Sequence, residues 1–328
     1  MSPALPDLIL PAPVRQFYVH SMLVAARETM LNDVLLKTLG TLDPDELADD
    51  IKAVAPTAGR KALQAAGIRD ELVFAAPVVL ATRPSLLGYY RLLLGVSQKQ
   101  FYTQASGLSR FKAMEVKNTL NDRNGDVLPE LCTAINDALG EMVTGIVGGI
   151  QPRDVEQLPL IALGAQFDGS WRNQVGREAT KDVFAAIKEI VKGAGTAYQE
   201  SDDGRSLTLL NNSGRKITVA LAADPDVVII EDINGQSKLK VAIEIKGGTD
   251  RSNAHNRAGE AEKSHQKARH SNAGDFWTVI SVSGMDMSVL KRESPTTRQW
   301  FDVTEIQSRQ GGPGWTEFRS SVQIAMGI

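Results

Sequence analysis

Two acidic residues and a lysine flank two apolar runs in the second half of this 328-residue chain. Asp226 follows Pro225 and opens the run VVII. Glu244 and Lys246 close the run VAI and are separated by Ile245. Because alternate residues of a strand point the same way, Glu244 and Lys246 should share one face. Carboxylates on adjacent strands suit Mg²⁺, and a nearby ammonium suits a phosphoryl group in transfer. We therefore predict that Asp226 and Glu244 bind Mg²⁺ and that Lys246 acts on the phosphate or the attacking water.

The acid-x-Lys spacing alone is weak evidence. The segments 50–52 (DIK) and 115–117 (EVK) have the same spacing, but both lie inside predicted helices. Segment 225–246 differs because it combines Pro-Asp, two apolar strands joined by a turn, and charged residues at the strand ends. The alternative interpretation is a surface hairpin with incidental charges. If segment 225–246 carries the catalytic residues, the EVK segment matches the spacing only by chance. Replacing Glu115 by alanine is then predicted to leave activity intact.

The second half of the chain, residues 166–328, has the pattern of an α/β domain. Continuous apolar runs such as VVII are typical of central strands that are covered on both faces. The predicted elements are a helix at 176–192, β-rich runs at 205–210, 216–222, 226–230 and 240–246, a helix at 253–271 and a strand at 276–283. We predict an αβββαβ core, in which helices flank a mixed central sheet.

Residues 1–165 show helical spacing almost throughout and predict a mainly helical N-terminal domain. Asp43 is a predicted N-cap, because Pro44 follows it at the first helical position. Further helices are predicted at 57–67, 84–95, 97–105, 107–121 and 127–147. A stripe at helical spacing within 14–39 should face a core: Phe17, Val24, Leu31 and Leu35.

Composition places the chain among ordinary globular proteins, with 42% hydrophobic and 23% charged residues. Apolar runs long enough to span a bilayer are absent, the first residues lack the pattern of a signal peptide, and Cys132 stands alone. We therefore expect a cytoplasmic protein with no membrane partner. The net charge is −3, yet the segment from Arg83 to Arg123 contains seven basic residues and only two acidic ones. Such local basic faces are compatible with a nucleic-acid partner.

Pro-Asp followed after seventeen residues by Glu-Ile-Lys resembles the PD-(D/E)xK nuclease superfamily. The segments EIKGGTDRSNAHNRAGEAEKSHQKA (244–268) and LLGYYRLLLGVSQKQFY (86–102) are similar to the XcyI family of type II restriction endonucleases. This resemblance implies that Asp226, Glu244 and Lys246 form a catalytic triad that works with Mg²⁺. It further implies a double-stranded DNA substrate with a GC-rich palindromic site such as CCCGGG. The helical half would then form part of the DNA clamp and the subunit interface.

Cutting both strands of a palindrome needs two active sites related by a two-fold axis, so a homodimer is expected. Superfamily members often add an acid from the helix before the first strand, which makes Glu178 a further candidate. The alternative for Glu178 is an ordinary first-turn acid that interacts with the helix dipole.

The resemblance also implies DNA contact by polar side chains after the catalytic strand and in the helical half. Ser97 is a predicted N-cap, so the turn before QKQF would present backbone N–H groups and Lys99 to a phosphate. A plain interhelical turn is the alternative. The candidate DNA-binding residues are Arg91, Ser97, Lys99, Arg251, Asn253, His255, Asn256 and Arg257.

Two other functions are compatible with these residues. One is a repair or recombination nuclease of the same superfamily that reads DNA structure instead of sequence. The other is a DNA-binding protein whose carboxylates are merely structural.

Overall fold

The computed structural model describes residues 13–247, 254–269, 273–281 and 286–328, with nothing given for the side chains of Ala254 and His255. The chain divides into two compact units between Trp171 and Arg172. Within the described ranges, no helix is both long and apolar enough to cross a membrane.

The first unit is helical in the part that the structure describes. Short 3₁₀ turns at Asp70–Leu72, Pro84–Leu86 and Leu108–Phe111 join some of its helices. The helices are α1 (Val14–Thr29), α2 (Asn32–Leu39), α3 (Pro44–Val54), α4 (Thr57–Ala65), α5 (Pro77–Thr82), α6 (Leu87–Leu93), α7 (Gln98–Phe101), α8 (Lys112–Lys117), α9 (Asp122–Gly125) and α10 (Leu128–Gly145). They are followed by α11 (Pro152–Gly193), whose residues up to Trp171 belong to this unit.

Local sequence signals explain part of this unit, and one expectation was wrong. Asp43 caps α3 as predicted, because its carboxylate accepts hydrogen bonds from the backbone N–H groups of Asp45 and Glu46. The predicted helix 14–39 is broken between α1 and α2, so its apolar stripe does not face one core. Leu31 and Leu35 are buried, whereas Phe17 is 68% and Val24 39% exposed.

In its described residues, the second unit is built on one seven-stranded sheet whose strands lie in chain order. Its strands are β1 (Tyr198–Glu200), β2 (Ser206–Leu210), β3 (Lys216–Leu221), β4 (Val227–Ile233), β5 (Gln236–Lys246), β6 (Asp275–Ile280) and β7 (Gln299–Asp302). Strands β1 to β5 pair antiparallel, and β6 and β7 continue the sheet in parallel. The remaining helices are α12 (Ala254–Arg269), α13 (Met287–Glu293), α14 (Val303–Ser308) and α15 (Pro313–Met326).

The mixed α/β architecture agrees with the predicted class, whereas the strict αβββαβ order is not confirmed. Five strands lie between α11 and α12, compared with three in the predicted order and four β-rich runs in the sequence, and β7 follows β6 beyond α13. Helix α11 also begins well before the predicted helix at 176–192.

Alternation along β5 separates the two faces of the sheet. Val241, Ile243 and Ile245 join the main core of this unit, which also contains buried residues of α11, α14 and α15. Ala242 points the other way and packs against Ala268 of α12. Glu244 and Lys246 follow Ala242 at alternate positions and therefore lie on the face toward α12.

A two-residue turn sets the pairing of β4 with β5. Asn234 and Gly235 both have positive φ, at 56° and 78°, as the favoured hairpin turn with an Asn-Gly sequence requires. This turn pairs Ile233 with Gln236. A β-bulge between Ile229 and Ile230 then shifts the pairing by one residue, so that Val227 lies opposite Ile243 at the far end. Continuing the pairing by one residue places Asp226 opposite Glu244.

Candidate active site

Asp226, Glu244 and Lys246 meet at the end of the β4–β5 pair. Asp226 Oδ2 accepts a hydrogen bond of 2.8 Å from the backbone N–H of Ile245. Lys246 Nζ lies 2.9 Å from Glu244 Oε1. Glu244 is buried, with 6% of its surface exposed, whereas Asp226 and Lys246 are half-buried. The structure thus brings together the three residues that the sequence singled out, on the face of the sheet that α12 covers.

Electrostatics keep Lys246 in its charged form. Burial on its own would lower the pKa of the Lys246 ammonium, but nearby carboxylates outweigh burial and raise this pKa. Glu244 has the largest such effect, and Glu260 of α12 lies 3.6 Å from Nζ. Lys246 is therefore a cation at neutral pH.

The surroundings of Asp226, in contrast, favour its neutral form. Burial, followed by the charge of Glu244, raises the pKa of the Asp226 carboxyl to about 6. The hydrogen bond from Ile245 and the charge of Lys246 act against this rise without cancelling it. Two carboxylates that repel each other in a partly buried site form a place where a cation lowers the energy.

Helix α12 supplies polar partners that the sequence analysis did not identify. Ser264 Oγ donates a 2.6 Å hydrogen bond to Glu244 Oε2 and also contacts Asp224 Oδ1. Lys267, one turn further along α12, places Nζ 2.5 Å from Asp224 Oδ2. The Lys267 contact and the Ser264 hydroxyl hold the pKa of Asp224 below its ordinary value. The site therefore extends from the strand ends onto α12.

Gly247 joins the end of β5 to α11. A Cβ atom at this position would overlap the Cβ of Ala179 and lie 3.0 Å from the carbonyl oxygen of Val175. This close approach fixes where the strand carrying Glu244 ends.

A sequence profile of the XcyI restriction endonuclease family matches residues 20–328. The chain belongs to the XcyI restriction endonuclease family. It is 36% identical over 319 residues to the type II restriction enzyme Cfr9I of Citrobacter freundii, and the matched region covers 96% of this chain and 95% of that enzyme. It is 37% identical over 316 residues to the type II restriction enzyme XcyI of Xanthomonas campestris pv. cyanopsidis, which covers 95% of this chain and 93% of that enzyme.

Membership of the XcyI family confirms the resemblance inferred from segments 244–268 and 86–102. The matched region includes both units, so the family likeness is not confined to the α/β part that carries the acidic residues.

Glu178 makes no described hydrogen bond or ion pair to the three site residues of this XcyI-family chain. It lies on α11 next to Ala179, which Gly247 contacts, so it is near the end of β5. Its side chain is exposed and accepts a hydrogen bond from Gln174 of the same helix. A role for Glu178 stays a prediction.

Five predicted DNA contacts of the XcyI-family chain follow β5. Arg251 and Asn253 lie outside the described residues. His255 belongs to the first turn of α12, with its side chain not described. Asn256 is exposed and Arg257 half-buried on the same helix. Their contact with DNA stays a prediction.

Arg91 is a correction among the predicted DNA contacts. Both Arg91 and Glu115 have fully buried side chains, and Nε and Nη2 of Arg91 pair with the two carboxylate oxygens of Glu115 at 2.9 and 2.8 Å. Gln98 and Tyr102 also donate to this carboxylate. A guanidinium enclosed in this way has no surface for a phosphate. Sequence spacing missed this because the partner lies 24 positions away.

The neighbouring turn keeps the features predicted for it. Ser97 caps α7 in a reciprocal arrangement with Gln100, in which the Ser97 side chain accepts from the backbone N–H of Gln100. Ser97 and Lys99 are exposed. A phosphate contact at this turn stays a prediction, and helix α7 is only four residues long.

His265 follows Ser264 on α12. Its ring is buried, and Nε2 lies 2.9 Å from Thr278 Oγ1 on β6. Burial lowers the pKa of His265 to about 4, so the ring is neutral at neutral pH. Thr278 continues the contact to Thr297, and Thr297 to Ser294. This buried polar chain supports α12 from below.

Proposed function

We propose that this XcyI-family protein is a Mg²⁺-dependent type II restriction endonuclease that hydrolyses phosphodiester bonds at a specific site in double-stranded DNA. The observation that carries the proposal is the meeting of Asp226, Glu244 and Lys246 at the end of the β4–β5 pair. Family membership and two relatives named as type II restriction enzymes support the same conclusion.

The two carboxylates suit a hard divalent cation. No group of three or more His, Cys, Asp or Glu side chains in the described part of the chain is arranged to hold a metal ion. Mg²⁺ needs only one or two carboxylates, because water and substrate oxygens complete its coordination. A cation held by Asp226 and Glu244 would relieve the repulsion that, together with burial, raises the pKa of Asp226. When bound, Mg²⁺ supplies Lewis-acid activation of water and of the phosphoryl oxygens.

Lys246 acts in this proposal as a fixed positive charge. Because its pKa is raised, it remains protonated and is not suited to remove a proton from water. Its Nζ instead stabilises negative charge that builds on the phosphate, and its ion pair with Glu244 orients it. Asp226 and Glu244 hold the cation, and partial burial limits competing water.

The recognition site and the oligomeric state belong to the proposal as well. Likeness to the XcyI family supports a GC-rich palindrome of the CCCGGG kind. A palindrome presents the same chemistry twice, so we propose that two copies of this chain act on one site, one on each strand.

The test is plasmid digestion by the purified protein with Mg²⁺ and with EDTA, using a plasmid that contains CCCGGG. We expect discrete fragments only with Mg²⁺, and sequencing of their ends gives the site and stagger. Glu244→Gln should lower the cleavage rate by about two to three orders of magnitude, a size typical of lost charge stabilisation.

Glu231→Gln is the matched control for Glu244→Gln. Glu231 is also a buried acid of the β4–β5 pair with a lysine partner, Lys240, at 3.2 Å, but it lies away from the site. We expect this variant to keep cleaving. Preference for branched DNA would favour a repair nuclease, and binding without any product would favour a DNA-binding protein; either result contradicts the proposal.

A further inference from the structure

We propose that Ser264 is a positioning residue that fixes the orientation of Glu244 for cation binding and cleavage; this inference rests on the proposed function. Ser264 lies on α12 and is 4% exposed. Its hydroxyl ties α12 directly to Glu244.

The carboxylate of Glu244 is held at both oxygens. Oε1 faces Lys246 at 2.9 Å and Oε2 accepts from Ser264 at 2.6 Å. Glu244 is buried, so water cannot easily replace a missing donor. Without the Ser264 hydroxyl, Oε2 is left unsatisfied, and the side chain is free to turn away from its present orientation.

Ser264 also keeps two acids in fixed relation. Its oxygen lies between Glu244 Oε2 and Asp224 Oδ1, while the other oxygen of each carboxylate faces a lysine. A hydroxyl carries one proton and donates to one acceptor at a time. Both carboxylates are within reach of this proton, and Lys267 compensates the charge of Asp224 whenever Ser264 donates to Glu244.

A purely structural role makes a different prediction. Apolar contacts already attach α12 to the sheet, through Ala268 against Ala242 and Phe276. If Ser264 only added stability, its loss would lower the melting temperature and leave the cleavage step unchanged. If it positions Glu244, the cleavage step and the response to a cation must both change.

The test compares Ser264→Ala with Ser294→Ala in the full-length protein. Ser294 is also buried and donates to a carboxylate of α12, that of Glu262, at 3.0 Å, but it does not reach Glu244. Single-turnover cleavage with Mg²⁺ gives the rate of the chemical step, and DNA binding with Ca²⁺ gives the affinity. The rise in melting temperature on adding Ca²⁺ alone reports cation binding without activity.

Ser264→Ala should lower the single-turnover rate by about 10- to 100-fold, the usual cost of losing a group that orients a ligand residue. Its DNA affinity should stay within about threefold, and its Ca²⁺-dependent rise in melting temperature should be smaller. Ser294→Ala should keep both the rate and the Ca²⁺ response while losing stability.

Wild-type rate and Ca²⁺ response in folded Ser264→Ala would overturn the positioning role. An equal loss of rate in Ser294→Ala would overturn it as well, because any buried hydroxyl would then suffice. These results differ from a failure of the proposed function, in which the wild-type protein itself does not cleave DNA with Mg²⁺.

Discussion

Asp226 is the residue whose protonation should govern how the protein responds to Mg²⁺. Burial and Glu244 raise the pKa of Asp226 to about 6, so a proton competes with the cation below that pH. We expect the apparent Mg²⁺ affinity, measured from cleavage rates at several Mg²⁺ concentrations, to fall about tenfold per pH unit below pH 6. Above pH 7 it should be constant. An affinity that does not change between pH 5 and pH 7 would contradict this assignment.

The same shift affects stability in the metal-free protein. The folded-state pKa of Asp226 is raised from 3.8 to about 6, so its stabilising contribution is complete below pH 3.8 and is lost as the pH rises through 6. Asp226→Asn removes this loss, because its amide oxygen still accepts from Ile245. In EDTA the variant should exceed wild type in free energy of unfolding by about 2 kcal/mol at pH 8. At pH 4 the two should agree; a difference of the same size at both pH values would show another cause.

At this scale the sequence predicted the residues on the strands and missed those on α12. Asp226, Glu244 and Lys246 were identifiable because charged residues at the ends of apolar runs need compensation. Ser264 and Lys267 belong to a polar helix in which many side chains are equally suitable. Only the three-dimensional packing shows which of them reaches an acid.

At the scale of elements, the contact between β5 and α11 depends on Gly247. Gly247→Ala would overlap Ala179 and displace the strand end that carries Glu244 and Lys246. We expect a loss of about 1–3 kcal/mol in unfolding free energy, as for other overpacked sites, together with slower cleavage.

Gly259→Ala is the control for this prediction. Gly259 lies within α12, and an added Cβ there meets nothing within 4 Å. Alanine should stabilise the helix by up to about 1 kcal/mol and leave cleavage unchanged. Equal behaviour of the two variants in thermal unfolding and single-turnover assays would show that close packing at Gly247 is unimportant.

The buried pair of Arg91 and Glu115 fixes how α6 and α8 meet in the helical unit. Removing one partner leaves a buried charge uncompensated, so Glu115→Ala should lower the free energy of unfolding by about 3–5 kcal/mol. Glu115→Ala is therefore unsuitable as the control without effect that the sequence pattern suggested. Arg69→Ala, which breaks the exposed pair with Glu71, should cost less than about 1 kcal/mol in the same chemical denaturation experiment. Similar losses in both variants would argue against the importance of burial.

Elements with strong local signals were predictable, and short polar ones were not. The Asn-Gly turn between β4 and β5 and the N-caps at Asp43 and Ser97 follow from nearby residues. Strands β1 and β7 contain only three and four residues, and half or more of their positions are polar or partly exposed. Their place in the sheet depends on pairing with distant segments, which no short window of sequence contains.

At the scale of the whole molecule, the proposal requires two copies of a 35.5 kDa chain. Sedimentation with a duplex containing the site should give about twice this protein mass. An excess of the inactive Glu244→Gln variant, mixed and refolded or coexpressed with wild type, should turn double-strand cuts into nicks, because each copy cuts one strand. Double-strand cuts without nicks in such mixed samples, or a monomeric complex, would contradict the dimer.

The shortness of the two outermost strands has a consequence for how copies can associate. Backbone N–H and C=O groups along a sheet margin are a template on which another chain can pair and aggregate. Here β1 offers three residues on one margin and β7 four on the other, while the longest strand, β5, is enclosed between β4 and β6. Margins this short disfavour extension by a neighbouring strand, so we expect the proposed second copy to associate through side-chain surfaces.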